Sequence, residues 1–267
     1  MRYLVCIVCL ILLWGCSGDS SMEVDKKPPL KPIMVDHMGD SHLEVDGAGN
    51  IIDVNYYDGD VEKNGTDAVS DGDWIQIQWE RLSDLPDIDY MKVFRFSLED
   101  YETQAEDYLV TVDSFSTPQV NYYVDTTEPE TGLTWFYFIE VFDAAGNSTK
   151  SDTVAYRLIE KPIPVSPSTT FSGMDDLEFT WALGSASLQS SITVNVFDES
   201  YNLLWQYSPL DGPDEEFSAE YAGPDYNGEV IIWRVDASQP PYTYLLEDKI
   251  YTIYSGSESN EKVLYRQ

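Results

Sequence analysis

The stretch from Trp135 to Asn147, reading WFYFIEVFDAAGN, constrains the fold of this chain more than any other. It opens with aromatic and β-branched residues, which suit a pleated surface, and ends in a Gly-Asn pair that tolerates the positive φ of a turn. The reading is a strand with a turn behind it. By the two-residue period Trp135, Tyr137, Ile139 and Val141 share one face, the candidate core face, and Phe136 and Phe138 share the other. About a hundred residues later VIIWRVDA, Val230 to Ala237, repeats the pattern.

Shorter strands surround these two. Ile75, Ile77 and Trp79 alternate with Gln76 and Gln78, as in a half-buried strand. Strands are expected at Tyr90–Ser97, Tyr108–Val112, Val120–Val124 and Ser151–Leu158, with another at Ile51–Tyr57. After a proline-rich junction from Glu160 to Pro167, Leu177, Phe179 and Trp181 repeat the earlier alternation. Ile192–Phe197, Leu203–Tyr207 and Ile250–Tyr254 follow as strands, and Ser255 to Gln267 reads as a polar tail. Short strands at regular spacing, with no convincing amphipathic helix between them, indicate antiparallel sandwiches. The return of the same order indicates an internal repeat.

Trp79 at the end of its strand, Tyr122 to Asp125, and VFDAAGN from Val141 to Asn147 together resemble a fibronectin type III domain. The resemblance covers roughly Asp73 to Ile159, and a second, more divergent domain of this kind would follow. It implies an all-β protein of two tandem antiparallel β-sandwiches. Trp135 stands where this family commonly has a corner tyrosine. An indole can donate but not accept, so the usual hydroxyl bond must be altered or missing. Trp79, Trp135, Trp181 and Trp233 serve as core markers. The expected division is 1–15 signal peptide, 16–32 lipidated cysteine and flexible tether, 33–160 first domain with an irregular N-terminal extension, 161–256 second domain, and 257–267 tail.

Arg2 precedes an apolar run from Tyr3 to Trp14, too short to span a bilayer core that needs roughly 20 helical residues. The run ends in Leu13-Trp14-Gly15-Cys16, which resembles a bacterial lipoprotein lipobox. That resemblance implies cleavage before Cys16 and several fatty acyl chains on it, palmitate among them. Ser17 after the cysteine fits the enterobacterial rule for outer-membrane sorting. The three cysteines are Cys6, Cys9 and Cys16, so a lipidated mature chain has no disulfide and holds together by burial.

The 48 acidic and 15 basic residues give a net charge of −33, which repels nucleic acid and anionic headgroups and removes both as partners. His37 and His42 are the only histidines, and they fall outside the two regular sandwiches. With no surviving thiol, no Cys-His catalysis and no zinc set are expected, and no Gly-rich phosphate loop is present. No cofactor and no metal are expected. The acidic loops around Asp84, Asp87 and Asp89, and around Asp211, Asp214, Glu215 and Glu216, lack the ligand spacing of a calcium motif. The expectation is a non-enzymatic, lipid-anchored envelope protein that binds a surface polysaccharide or an envelope protein, with a structural spacer as the alternative and a glycoside hydrolase or its accessory as the lesser one. Candidate contact residues are Tyr242 and Tyr244, read as part of a Pro240-Pro241 loop, and Phe136 and Phe138.

Overall fold

The computed structural model describes residues 25–35, 41–45, 51–56, 73–82, 87–116, 121–127, 129–183, 190–208 and 216–267, with backbone alone for 41–45, 51–56 and 216. The signal peptide, Cys16, His37 and the acidic residues Asp84, Asp211, Asp214 and Glu215 lie outside the described residues, and the side chain of His42 is not described. In the first half the strands are β1 (Met34–Val35), β2 (Ser41–Val45), β3 (Ile51–Tyr56), β4 (Ile75–Trp79), β5 (Tyr90–Ser97), β6 (Val110–Phe115), β7 (Tyr122–Asp125), β8 (Thr134–Phe142), β9 (Ser148–Lys150) and β10 (Val154–Leu158). A single turn and a half of helix, α1 (Leu98–Thr103), joins β5 to β6. Ser97 starts it by accepting the Asp100 N–H at 2.9 Å, and Gln104 at φ 53° ends it.

The second half holds β11 (Ile163–Ser166), β12 (Thr170–Phe171), β13 (Glu178–Ala182), β14 (Ser191–Asp198), β15 (Leu203–Tyr207), β16 (Glu216–Glu220), β17 (Val230–Leu246), β18 (Lys249–Glu258) and β19 (Lys262–Arg266). Each half is a three-stranded layer on a four-stranded one. In the first, β1-β4-β7 faces β6-β5-β8-β10; in the second, β11-β13-β16 faces β15-β14-β17-β19. Ile75, Ile77 and Trp79 meet Met91, Val93, Tyr137, Ile139 and Val141 in the first core. Phe179 and Trp181 meet Val194, Val196, Trp233, Val235 and Leu264 in the second. Trp79, Trp181 and Trp233 are fully buried, while Trp135 packs half-buried at the margin.

One device recurs in both halves. The Ile139 N–H donates to Ser151 Oγ at 3.0 Å and the Ser151 N–H to the Ile139 carbonyl at 2.9 Å. Val235 and Ser259 repeat this pair of bonds at 2.8 and 2.9 Å. Each serine marks the place where the last strand leaves its neighbour's regular register and then resumes pairing. The expected strand Ser151–Leu158 is therefore shorter, β10 from Val154, with β9 a separate piece that ends before Ser151.

Matching the serines locates the main difference between the halves. Five residues, Asp143 to Asn147, bridge the paired Phe142 and Ser148, whereas seventeen, Gln239 to Ser255, bridge the paired Ser238 and Gly256. The longer bridge is a β-hairpin arm in which Tyr242 pairs with Ile253, Tyr244 with Tyr251 and Leu246 with Lys249. Its outgoing strand carries Pro240 and Pro241 at a register shift, one of the few kinds of site where a paired strand tolerates proline. Beyond Ile253 the arm's return strand pairs in parallel with β10, Ala155 to Ile253 and Leu158 to Gly256, so the larger layers of the two halves form one eleven-stranded sheet.

These facts correct several expectations. Tyr242 and Tyr244 sit in a strand, not a proline loop. Ile250–Tyr254 belongs to the arm, and the last strand is β19, inside the expected polar tail, where Leu264 is fully buried. The expected strands near Tyr108 and Val120 begin two residues later, at Val110 and Tyr122. The tether is not free from Asp25 on: Lys31 pairs with Asp152 at 2.6 Å, Thr149 donates to the Pro29 carbonyl at 2.7 Å, and Pro29 and Pro32 are buried.

Candidate functional site

Three of the four aromatic candidates, Phe136, Phe138 and Tyr244, converge on one cluster, while Tyr242 stays 38% exposed beside it. Phe136 and Phe138 project from the outer face of the first unit's larger sheet, and the arm lies over them, with Leu246 and Ile253 completing a buried cluster with Phe96 and Ala155. Phe136 is fully buried and Phe138 is 7% exposed, so neither offers a face to an external ligand. Phe96 stacks on Phe136 at 4.8 Å and Phe94 on Phe138 at 4.9 Å, while Tyr251 meets Phe136 edge-on at 5.2 Å. Tyr244 donates to Glu102 at 2.5 Å, and the Tyr242 hydroxyl lies 3.3 Å from Thr134 Oγ1. Tyr101 of α1 donates to Glu247 at the arm's tip, a bond that, ahead of burial, pushes its hydroxyl up to about 12. A polar cleft of about 360 Å³ opens where β10 and the return strand splay apart, lined in part by Asp152, Thr153, Lys249 and Tyr251.

Below the arm, Asp125 ties three strands of the first core together. It accepts Arg95 at 2.5 Å, Tyr137 at 2.8 Å and both donors of Thr127, at 2.6 and 3.1 Å, and is itself fully buried. Burial first, and the Asp125 charge second, hold the Tyr137 hydroxyl well above its ordinary range. Trp135 stacks under the Arg95 guanidinium at 4.5 Å and donates its indole N–H to the Glu130 carbonyl at 3.3 Å. The corner bond expected to be altered or missing is thus altered: an indole replaces the hydroxyl as donor to a carbonyl five residues upstream.

The matching outer face of the second unit is sealed by charge. Arg234, placed where the first unit has Phe138, meets Asp236 at 3.1 Å, Glu258 at 3.0 Å and Glu261 at 3.9 Å, over the Phe197 ring. Asn195 donates to Asp236 at 2.6 Å and Tyr201 to Glu261 at 2.8 Å. Sequence reasoning missed this set. Arg234 and Asp236 inside an apolar run were its signal, since charges in a strand buried on both faces need partners.

Among the described residues one group of carboxylates lies close enough to share an ion: Asp25, Asp87 and Asp143, within 4.8 Å. Asp143 is buried, but the Asn147 backbone N–H at 2.8 Å and amide at 2.7 Å occupy its two oxygens. The Asn147 amide bond is the main cause that holds its carboxyl below the usual range. These bonds close the turn that Gly146, at φ 86°, makes possible. No helix among the described residues is long and apolar enough to cross a membrane.

No family model matches the chain, and no curated protein is significantly similar to it in sequence. Among solved structures it is similar to the FN1–FN3 domains of chicken CNTN1 (12% identity, TM-score 0.33, covering 73% of this chain and 61% of that one). It is also similar to the fibronectin(III)-like modules of Clostridium thermocellum CbhA (15%, 0.25, 73% and 85%) and to the BSP domain of a biofilm associated protein (14%, 0.24, 72% and 27%). At these values the likeness says nothing about what the chain binds. Its own strand order defines its class: an all-β protein of two fibronectin type III-like sandwiches.

Proposed function

We propose that the chain is a non-enzymatic, lipid-anchored protein of the cell envelope that acts as a stiff stalk: Cys16 carries the lipid, and the two sandwiches hold a partner-binding surface at a fixed distance and orientation from the membrane. The observation that carries this reading is the arm. A flexible linker would let the units swing independently, as small inter-unit contacts ordinarily do. Here a parallel strand pairing and a buried aromatic cluster join the units instead. The aromatic residues first read as ligand contacts serve that joint, which favours the spacer over polysaccharide adhesion through this face. An envelope protein is the partner most consistent with a stalk, and the outer membrane is the proposed site.

The test is a pull-down from envelope extract with a soluble Ser17–Gln267 chain, beside an arm-less form in which a two-residue Asn-Gly turn replaces Gln239 to Ser255. The stalk reading expects a defined partner recovered by the first and weakened or lost with the second. Saturable binding of envelope polysaccharide, with no protein recovered, would return the adhesion reading to first place.

A further inference from the structure

A notch on the first unit, between α1 and the start of β6, opens beside the joint and shares Tyr101 with it, while Tyr108 and Glu106 stay open on its other side. It has a volume of about 400 Å³ and is lined by Tyr101, Gln104, Ala105, Glu106 and Tyr108. We propose that this notch and the free edge of β6 dock an extended basic segment of a partner protein, with an arginine or lysine side chain in the notch and its backbone added to the sheet.

The notch has the chemistry of a cation site. The Tyr101 and Tyr108 rings stand at 86° with centroids 5.5 Å apart, and Tyr108 remains 37% exposed. Aromatic faces beside the Glu106 carboxylate suit a guanidinium or ammonium group, which gains from the ring quadrupole and from the charge together. The surrounding segment Leu98–Asp107 carries Glu99, Asp100, Glu102, Glu106 and Asp107 and no base. Glu102 and Glu247 are engaged by tyrosine hydroxyls of the joint, which leaves Glu106 on the notch lining with Asp107 next to it in the chain.

The neighbouring edge has the chemistry of a strand acceptor. Among the described residues β6 pairs with β5 alone. Leu109 and Val110 are 39% and 44% exposed, and the strand has no lysine or proline. A register shift opposite Val93 and Phe94 and one charge, Asp113, are the blunting devices of this edge; the charge is acidic, so it discourages an acidic strand and favours a basic one. Charge decides the occupant. A second copy would bring another 33 net negative charges and the same acidic rim, so it is repelled, whereas a basic segment is drawn in.

The proposal rests on the stalk reading for its partner class, but its test does not. A fluorescent peptide alternating arginine and valine is titrated into soluble Ser17–Gln267 at physiological salt, with amide shifts followed by NMR. Saturable binding is expected, with shifts concentrated over residues 104–115. Tyr108→Ala should weaken it roughly three- to five-fold, the span of an exposed cation–π contact. Glu106→Lys should weaken it further. Tyr108→Phe keeps the ring and should bind as the parent does. Asp225→Lys makes the same charge change on an exposed site of the second unit and should alter affinity little. Equal loss from Asp225→Lys and Glu106→Lys, unchanged affinity in Tyr108→Ala, or shifts spread over the whole surface would each overturn the site in favour of diffuse attraction. Should Tyr108→Ala fail to fold, the paired charge variants decide alone. A negative result leaves pull-down of a partner through another surface intact, so the two readings fail separately.

Discussion

At the residue scale, the two units solve the same problem with opposite chemistry. The outer face of each larger sheet is covered, so the residue at its centre must be apolar or fully paired. Phe138 takes the first course and Arg234 the second. Removing one member of a buried ionic set typically costs about 3–5 kcal/mol, because the remaining charges stay desolvated. Arg234→Met should therefore destabilise the second unit by that order. Chemical denaturation of the parent and the variant measures the effect. Tyrosines give a titration. Tyr101 and Tyr123 are pushed up to about 12, the first by its bond to Glu247 and the second by burial, against about 10 in an unfolded chain. Between these values the folded protein holds protons that the unfolded chain has released, so stability present below pH 10 is lost as pH rises toward 12. Melting temperature should fall across that window, and more phenolate absorbance should appear in the unfolded chain than in the folded one at the same pH.

At the element scale, local pattern was legible and pairing was not. IQIQW alternates, so β4 and its buried face could be read directly, and the Gly-Asn turn after β8 followed from the conformations those residues allow. Phe136 and Phe138 also carried a message: WFYFI has no polar alternation, the mark of a strand covered on both faces. What covers the second face could not be read, because the arm comes from more than a hundred residues away and pairs in parallel with β10. Pro240 and Pro241 hid the arm by resembling a loop, and β19 was hidden because Leu264 is its only fully buried side chain. The tyrosine notch was missed for another reason: Tyr101 and Tyr108 come together only because α1 reverses the chain between β5 and β6. If the arm is the joint, replacing Gln239 to Ser255 with an Asn-Gly turn should leave both cores folded and free the units to move. Spin labels at exposed Glu80 and Asp225 should then give a broad distance distribution in place of a narrow one. A narrow distribution in the arm-less chain would assign the stiffness to the Glu160–Pro167 junction.

At the scale of the whole molecule, two cores share one sheet, and this determines how the protein unfolds. Each core has a fully buried tryptophan on its smaller layer, Trp79 in the first and Trp181 in the second. Truncating either to alanine removes a large apolar side chain and leaves a cavity, a loss of about 3–5 kcal/mol. Independent domains would confine each loss to one transition. Here unfolding of either unit also breaks the β10–β18 pairing and uncovers Phe136, Phe138, Leu246 and Ile253, so part of the interaction is forfeited by both. Calorimetry of the intact chain should show Trp79→Ala and Trp181→Ala each lowering both transitions, or a single merged one, with the larger fall in the unit that carries the change. In the arm-less chain the same substitutions should act separately, each on its own transition. Contacting groups couple and distant ones add, so the difference between the two sets measures the energy held in the joint. Separate transitions in the intact chain, indistinguishable from those without the arm, would mean that the continuous sheet adds no stability and that the stalk is stiff for some other reason.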